Sequence, residues 1–376
     1  MKKIGQITAI VLFLAMLYGI PVSFLIQKDI AFSENENRYL ADKPLLSLEN
    51  MLSGKFMEGT ERYIDDQFPQ RDFWVSLKSD FLRLTGRKEI NGVYLAGDGY
   101  LIEKWLESEF DEKRLTENIE ALNRFAQRHP EQTIAVMLVP TAGMILKEKL
   151  PENAPMFHQQ LAYDLVNRKL GGVSYIDLNP LFAAHSTEAL YYRADHHWTT
   201  YGAFLAYSAW CAANGCSADL DSFESETVTD EFQGSLYSKV LGSYCVVDKI
   251  ELYRQGEEDA YDVAYNFGKM RSHTVYASER LLQKDKYQVF LNGNHPEVTI
   301  RTSQTNGRHL LIIKDSFANA FVPFLLKDYE TIHLIDLRYY NGSIDDYMLE
   351  NDINECLILY NIKNFCEDKN ILDIAS

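Results

Sequence analysis

Residues 191–201 read YYRADHHWTTY and place an acid, two histidines and a tryptophan in four consecutive positions. Neither a helix nor a strand can bury one clean apolar face with such a run, so the stretch indicates a functional site. In an extended chain Asp195 and His197 would point the same way, which would put a carboxylate beside an imidazole. This pair is half of a hydrolytic site, and the missing half is a nucleophile.

A serine that can complete this site lies far downstream, after the apolar run HLLIIK at 309–314. Ser316 follows this predicted strand and begins a predicted helix, where backbone N–H groups and the helix dipole favour a developing oxyanion. We therefore predict Ser316 as the nucleophile, His197 as the base and Asp195 as the residue that orients the base. The non-catalytic interpretation is that Ser316 is only the N-cap of its helix.

Alternating strands and helices predict an α/β fold with a mainly parallel central sheet that is covered on both faces. The predicted strands are 133–139, 173–178, 309–314, 331–337 and 356–360, and the predicted helices are 110–128, 157–169, 201–213, 317–326 and 344–349. In such folds ligands bind beyond the carboxyl ends of the strands, where Arg338 to Gly342 and Asn361 follow their strands. Gly342 and Asn361 can there supply the N–H donors of an oxyanion hole.

The other candidate substrate-binding residues are His196, Trp198, Tyr201 and Arg338. For Trp198 and Tyr201, stacking on sugar rings and ordinary packing are both open. Asp195, His196 and His197 can also ligate a metal, but adjacent histidines in extended chain point to opposite faces and no HExxH spacing is present. We therefore predict no metal and no cofactor, and a metal hydrolase is kept as a third option.

The amino terminus carries an uncharged, apolar run from Ile4 to Ile26 behind two lysines. About 20 apolar residues cross a bilayer, and the positive-inside rule leaves the rest of the chain outside the cytoplasm. We predict a single-pass anchor in the cell membrane, with a cleaved signal peptide as the alternative. The predicted organisation is an anchor or signal over 1–27, a linker with membrane-proximal helices over 28–90, and an α/β domain over 91–376 with an excursion around 216–306.

Local patterns add four expectations. Aromatic and aliphatic residues between 48 and 87 recur at helical spacing, with a break at Phe68 and Pro69, and core packing explains them. Residues 92–102 read as a β-hairpin. Residues 249–253 and 287–291 have the composition of short strands. The five cysteines lack CxxC spacing, so neither a zinc ribbon nor a thioredoxin motif is predicted, and an odd count leaves at least one thiol unpaired.

The charge balance excludes one class of partner. The chain has 54 acidic and 37 basic residues, a formal net charge of -17, and no Lys or Arg cluster. Nucleic-acid binding needs clustered positive charge, so we predict no nucleic-acid partner.

The DHHW sequence at 195–198 resembles the DHHW family of exported bacterial proteins. Further resemblance lies in the anchor and in ENRYL (36–40), DQFPQRD (66–72), NGVY (91–94), KDS (314–316) and DLRYY (336–340). The family looks like a branch of the SGNH-hydrolase superfamily, similar to the periplasmic proteins that O-acetylate alginate. Lys314 departs from the pattern, because a glycine usually stands there, and Gly342 and Asn361 match the other SGNH blocks only loosely.

The resemblance implies an SGNH-like three-layer fold, with Ser316, His197 and Asp195 as the triad. It also implies acetyl transfer to, or removal from, hydroxyls of an extracellular polysaccharide through an acyl-enzyme, beside a membrane-bound O-acyltransferase that delivers the acetyl group. The alternative is a non-catalytic glycan-binding or assembly protein that has kept the fold.

Overall fold

The computed structural model describes residues 2–36, 38–243, 247–255 and 261–375. These form two compact units, residues 1–87 with 238–244 and residues 88–237 with 245–376. In the described part of the chain the helices are α1 (Lys2–Ile26), α2 (Leu48–Leu52), α3 (Lys55–Asp66), α4 (Arg71–Leu84), α5 (Glu112–Arg128), α6 (Ala142–Ile145), α7 (Gln160–Lys169), α8 (Asn179–Ala184), α9 (Thr200–Asn214), α10 (Ser235–Val240), α11 (Ala318–Phe321), α12 (Ile344–Glu350) and α13 (Ile362–Glu367).

The strands in the same ranges are β1 (Phe32–Ser33), β2 (Arg38–Tyr39), β3 (Glu89–Ile90), β4 (Val93–Leu95), β5 (Leu101–Glu103), β6 (Thr133–Val139), β7 (Ser174–Ile176), β8 (Glu224–Phe232), β9 (Asp248–Arg254), β10 (Asp262–Tyr265), β11 (Met270–Ser272), β12 (Glu297–Arg301), β13 (His309–Lys314), β14 (Thr331–Ile335) and β15 (Glu355–Asn361). The predicted helix over 317–326 is divided, because α11 is followed by a 3-10 turn over Val322–Leu325.

The larger unit is built on an eight-stranded sheet in the order β11-β10-β12-β14-β13-β15-β6-β7. The strands from β14 to β7 in this order are parallel, and β12, β10 and β11 extend one edge in antiparallel fashion. Every residue of β14 is buried, and β6, β13 and β15 are buried except at their first residue. Such burial on both faces explains the continuous apolar runs in the sequence.

Two apolar clusters cover the two faces of this sheet. Leu310 and Ile312 of β13 point into a cluster that contains α9 and α11. Leu311 and Ile313 point into the other cluster, which contains α5, α7, α12 and α13. The predicted three-layer α/β fold with a mainly parallel central sheet is confirmed.

The segment 216–306 was predicted to be an excursion from the α/β domain, but part of it belongs to the central sheet. Its strands β10, β11 and β12 belong to the central sheet, and β8 pairs with β9 in a separate antiparallel ribbon. The predicted strand at 287–291 is wrong, because residues Lys286–Val289 form a 3-10 turn. Tyr287, Val289, Phe290 and Leu291 all enter one apolar cluster, which the two-residue repeat of a strand does not allow. The predicted hairpin over 92–102 is confirmed as β4 and β5.

The smaller unit begins with an apolar segment, Ile4–Ile26, that is long enough to cross a membrane and is compatible with an anchor or a signal sequence. The two motifs ENRYL and DQFPQRD meet in this unit. The Arg38 guanidinium donates to the Asp66 carboxylate at 2.5 and 3.0 Å, and Arg71 pairs with Glu36. Helices α3 and α4 are separated at Phe68 and Pro69, as predicted.

The prediction that core packing explains the apolar residues between 48 and 87 is wrong for several of them. Phe73 and Phe81 of α4 are 56 % and 63 % exposed. Their helical spacing is real, but the face that they form points to solvent in the described structure.

The cysteines divide into two kinds. Cys211 and Cys216 form a disulfide at the end of α9, and Cys356 and Cys366 are buried free thiols. Burial raises the pKa of both free thiols well above its usual value, so neither is suited to act as a nucleophile. Cys245, the remaining cysteine, lies outside the described residues.

Candidate active site

The DHHW residues lie in a tight loop and not in the extended chain considered from the sequence. A β-bridge between Tyr191 and Trp198 closes the loop, and the Tyr192 N–H donates to the His197 carbonyl at 3.2 Å. Thr199 then caps α9 by accepting a hydrogen bond from the Gly202 N–H. Residues 195 and 197 therefore lie inside a loop that the bridge closes and that α9 follows directly.

Asp195, His197 and Ser316 form a continuous chain of hydrogen bonds. His197 Nδ1 is 2.5 Å from Asp195 Oδ1, and His197 Nε2 is 2.8 Å from Ser316 Oγ. An ionised Asp195 can only accept, so Nδ1 carries the proton and Nε2 is left to accept from the Ser316 hydroxyl. All three residues are buried, between 3 % and 8 % exposed.

The surroundings of Asp195 keep it ionised despite its burial. Burial alone would raise its pKa, but electrostatic attraction by the His197 and His196 rings and the hydrogen bonds from His197 hold the pKa of Asp195 well below its usual range. Asp195 Oδ1 also accepts from the His197 N–H at 2.9 Å, and Oδ2 accepts from the Ser235 N–H at 2.7 Å. The carboxylate is therefore fixed in orientation by two backbone donors.

Gly234 makes the close approach to this carboxylate possible. A Cβ atom at Gly234 would lie 2.2 Å from Asp195 Oδ2 and 2.3 Å from Asp195 Cβ. Any side chain at position 234 would push the carboxylate or the 234–235 backbone away.

Aromatic rings pack around the imidazole of His197. Tyr287 stacks on it, with ring centroids 3.8 Å apart and planes at 9°, and Phe317 lies 5.0 Å away. The Tyr287 hydroxyl donates to the Ser316 carbonyl at 3.3 Å. The packing restricts rotation of the imidazole.

Asp315 ties the strand that carries Ser316 to the neighbouring strand end. Its Oδ1 accepts from the Phe317 N–H at 2.9 Å, and its Oδ2 accepts from the Asn361 N–H at 2.8 Å and from Asn364 Nδ2 at 2.7 Å. Burial raises the pKa of Asp315, and these donors oppose that effect. The turn at 315–317 and the end of β15 are thus fixed to each other.

Lys314 is buried on the other side of this turn. Its Nζ donates to Asn294 Oδ1 at 3.1 Å and to Asn319 Oδ1 at 2.6 Å. Burial lowers the pKa of Lys314 to about 8, while the charges of Asp336 and Asp315 oppose this shift. The lysine that departs from the SGNH pattern therefore belongs to a polar cluster with two asparagines.

A small cavity of about 40 Å³ adjoins the catalytic candidates. Its walls include His196 and Phe317, the sequence neighbours of His197 and Ser316, together with Asn361 and Asn364. His196 Nδ1 lies 2.6 Å from Ser235 Oγ. Glu103 and Lys363 form an ion pair at the same cavity, with a separation of 3.2 Å.

The structure brings some predicted substrate-binding residues to this site and places others elsewhere. His196 and Asn361 line the small cavity. Trp198 is completely buried and donates through Nε1 to the Phe317 carbonyl at 3.0 Å. The interpretation in which Trp198 stacks on a sugar is wrong for this structure, because neither face of its indole is exposed.

Tyr201 lines a different, larger cavity of about 610 Å³, with Tyr100 and Tyr253 among its neighbours. Arg338 donates to both carboxylate oxygens of Asp336, at 2.8 and 2.5 Å. Gly342 is exposed, and a Cβ atom added there would meet the ring of Tyr340. Within the described residues no hydrogen bond links Gly342 to Ser316 or His197, so its role as an oxyanion donor stays a prediction.

Asp195, His196 and His197 each bring one ligand atom to within 4.8 Å of the others, as a metal site would require. Nδ1 of His197 is already bonded to Asp195, and Nδ1 of His196 to Ser235. A metal ion held by these atoms would have to replace hydrogen bonds of the folded chain.

Four residues at the site were missed by sequence reasoning: Gly234, Ser235, Tyr287 and Asn364. The first three come from segments with no regular apolar period. The signal for Asn364 was its position three residues beyond Asn361, at the carboxyl end of a predicted strand, where ligand-binding residues gather.

Comparison with known sequences supports the resemblance. The model of the DHHW protein family matches residues 116–335. The probable alginate O-acetylase AlgJ of Pseudomonas syringae pv. tomato is 28 % identical over 221 residues, which cover 53 % of this chain and 53 % of that protein. This chain therefore matches about half of the length of that relative.

Two solved structures share the fold. A DHHW family protein from Eubacterium siraeum superposes with a TM-score of 0.63 at 24 % identity, over 76 % of this chain and 95 % of that one. Bacillus cereus PatB1 with a sulfonyl adduct gives a TM-score of 0.63 at 20 % identity, over 76 % of this chain and all of that one. These likenesses show that this chain shares the α/β fold of those two proteins.

Proposed function

This chain belongs to the DHHW family, and on that premise we propose that it is an extracytoplasmic serine O-acetyltransferase or acetylesterase that acts on polysaccharide hydroxyls. The observation that carries the proposal is the hydrogen-bond chain from Asp195 through His197 to Ser316, with distances of 2.5 and 2.8 Å. A carboxylate, an imidazole and a hydroxyl in this order form the arrangement that activates serine for acyl transfer.

In the first half of the reaction, Ser316 Oγ attacks the carbonyl carbon of the acetyl donor while His197 Nε2 takes the hydroxyl proton. Asp195 accepts from the Nδ1–H of the imidazolium and stabilises its charge. When the bond to the donor oxygen breaks, His197 returns the proton to that oxygen. The acetyl group is then an ester of Ser316.

In the second half, His197 takes the proton of an acceptor hydroxyl, whose oxygen attacks the acetyl carbonyl. The bond to Ser316 Oγ breaks and Oγ takes the proton from His197. A sugar hydroxyl as acceptor gives transfer, and water gives hydrolysis. In both halves we assign the stabilisation of the oxyanion to amide N–H groups near Ser316. The side chains of Asn361 and Asn364, which line the cavity, are the candidate side-chain donors.

The size of the small cavity supports an acetyl group as the group transferred. A cavity needs about 10–15 Å³ to hold one water. The cavity of about 40 Å³ beside His196 and Phe317 has room for a group as small as acetyl.

The polysaccharide acceptor is inferred from the relative named as an alginate O-acetylase. The apolar segment Ile4–Ile26 supports a membrane anchor that keeps the catalytic unit at the cell surface. We further propose a membrane-bound O-acyltransferase as the partner that supplies acetyl groups.

The test is the initial rate of p-nitrophenyl acetate hydrolysis by the full chain in detergent. We compare wild type with Ser316→Ala and His197→Ala, and we use Ser303→Ala, at an exposed serine, as the matched control. Both active-site variants should fall to background with unchanged circular dichroism, and only Ser316 should carry an acetyl adduct in peptide mass spectrometry.

Equal rates in all four proteins would overturn serine catalysis and favour the glycan-binding alternative. Loss of wild-type activity on addition of a chelator, together with survival of activity in Ser316→Ala, would instead indicate a metal hydrolase. A polysaccharide that becomes acetylated in the same assay would identify transfer as the reaction.

A further inference from the structure

Helix α4 carries its largest apolar side chains on the face that points to solvent. Phe73, Leu77, Phe81 and Leu84 are 56 %, 48 %, 63 % and 80 % exposed, and Trp74 is 37 % exposed. Their spacing of three and four residues places them on one side of the helix. We call these five residues the α4 apolar face.

The opposite side of α4 shows that the α4 apolar face is not the side of the helix that packs against its own unit. Ser79 is the residue of α4 that is buried, and its hydroxyl donates to the Val240 carbonyl within the same unit. A small polar residue therefore faces inward while the aromatic residues face outward. This is the reverse of the pattern expected for a helix of a soluble protein.

Exposed apolar side chains are concentrated in the whole segment before the larger unit. Among the described residues, fourteen of the exposed large apolar side chains lie between 28 and 87, and seven lie in the much longer unit that follows. Contiguous exposed apolar surface in a protein marks a binding surface or a membrane contact. The position of α4 relative to the predicted membrane span distinguishes a binding surface from a membrane contact.

The start of α4 is tied to the end of the predicted membrane span. Phe24 of α1 packs on Tyr63 of α3, with ring centroids 5.8 Å apart, and the Gln27 side chain donates to the Gln67 carbonyl. Gln67 also exchanges two hydrogen bonds of 2.9 Å with the backbone of Ile30. Four residues extend at most about 14 Å, so α4 must begin close to the membrane exit of α1.

We propose that α4 lies on the outer surface of the membrane with its apolar face in the headgroup region of the lipid. A helix with Trp, Phe and Leu on one side and charges on the other binds there with its apolar face about 5–10 Å deep. The occupant of this face is thus the same bilayer that α1 crosses. The inference does not depend on the chemistry at Ser316.

Fluorescence of the full chain in vesicles tests the proposal, because the four tryptophans differ sharply in exposure. Trp105, Trp198 and Trp210 are at most 1 % exposed, whereas Trp74 lies on the α4 apolar face. We would reconstitute the chain in dioleoylphosphatidylcholine vesicles and in vesicles of the dibrominated lipid, which quenches on contact. We expect loss of the Trp74 emission in brominated vesicles, and Trp74→Phe should show no such loss.

A second variant, on the same face as Trp74, checks that the result is not a local effect of substituting Trp74 itself. Phe81→Glu places a charge on the same face and should reduce the quenching of Trp74, whereas Leu282→Glu, at a residue 91 % exposed in the other unit, should leave it unchanged. Equal quenching in wild type and Trp74→Phe would overturn the proposal. So would a Trp74 that iodide in the buffer quenches and brominated lipid does not, which would leave the face in water.

A Trp74 shielded from both quenchers would also overturn it, because a second copy of the chain would then cover the face. Failure of the chain to float with the vesicles would overturn the membrane anchor as well. Neither result would bear on the rate of ester hydrolysis, so failure of this inference and failure of the proposed activity are distinguishable.

Discussion

The ring of Tyr287 lies flat against the imidazole of His197, with centroids 3.8 Å apart and planes at 9°. Its hydroxyl donates to the backbone carbonyl of Ser316 at 3.3 Å. One side chain therefore contacts both the proposed base and the proposed nucleophile. Two different parts of Tyr287 make these contacts, because the ring restricts the imidazole and the hydroxyl fixes the serine backbone.

We expect Tyr287→Leu to lower kcat for p-nitrophenyl acetate by about 100-fold, because a displacement near 1 Å at a reacting group costs about that factor. Tyr287→Phe keeps the ring and should lose less than about tenfold, the equivalent of one neutral hydrogen bond. Steady-state kinetics with circular dichroism as the folding check would measure both. Equal losses in the two variants would contradict a role for stacking.

Gly234→Ala should strongly reduce ester hydrolysis, and the added Cβ would contact Asp195 and no other proposed catalytic residue. The added Cβ would stand 2.2 Å from Asp195 Oδ2, so the carboxylate must leave its position beside His197. We expect a loss of about 10³- to 10⁴-fold, similar to that for a triad whose carboxylate no longer orients the base. The measurement is kcat/KM at pH 7.

The matched control is Gly171→Ala, an exposed glycine with no atom within 4 Å of the added Cβ and no positive φ. It should keep wild-type activity. An active Gly234→Ala protein would show that the position of Asp195 is not needed for the reaction.

The core of the fold could be predicted from the sequence because each of its strands and helices has a recognisable apolar pattern within its own residues. The run TIAVMLV at 133–139 is a buried strand whichever neighbours it has, and the alternation of such runs with amphipathic helices leaves few topologies. The candidate residues at 195, 197 and 316 could be singled out from residue chemistry, because a carboxylate, an imidazole and a hydroxyl are the three groups that serine-dependent acyl transfer needs.

The remainder depends on tertiary contacts that leave no periodic signal. Tyr287 reaches His197 from a 3-10 turn whose composition resembles a strand. Gly234 matters only because Asp195 folds onto it. Trp198 looks accessible beside two histidines in the sequence, but its position under Phe317 buries it completely. The outward face of α4 has the period of a core helix, and periodicity does not tell which solvent a face meets.

Substitution of Asp315 should destabilise the protein through three donors at once. In Asp315→Ala the Phe317 N–H, the Asn361 N–H and the Asn364 amide lose their acceptor in a buried site. We expect a loss of about 2–4 kcal/mol in the free energy of unfolding. Asp315→Asn should be nearly as unstable, because its own amide must face one of these donors.

Denaturant unfolding followed by tryptophan fluorescence would measure these changes, with the exposed Asp230→Asn as the control. Wild-type stability of Asp315→Asn would show that one acceptor oxygen is sufficient at this turn.

Lys314 should make stability depend on pH in a defined window. Its folded pKa of about 8 lies below its ordinary value of 10.5, so between these values the unfolded chain binds more protons than the folded one. Stability contributed through Lys314 therefore rises as pH increases from about 8 to 10.5, and below 8 the full cost of burying the charge is present. The difference in pKa corresponds to about 3 kcal/mol.

The comparison that isolates this effect is wild type against Lys314→Met, which has a side chain of similar length and no charge. Asp336, Asp315 and Arg338 act on Lys314 in wild type, and the first two oppose its loss of a proton. Tyrosines titrate in both proteins and cancel in the difference. We expect the free energy of unfolding of wild type to increase relative to that of Lys314→Met as pH rises from 8 to 10.5. Denaturation midpoints at each pH would measure this change. Parallel curves would mean that Lys314 keeps its ordinary pKa in the folded protein and that Asn294 and Asn319 fully compensate its burial.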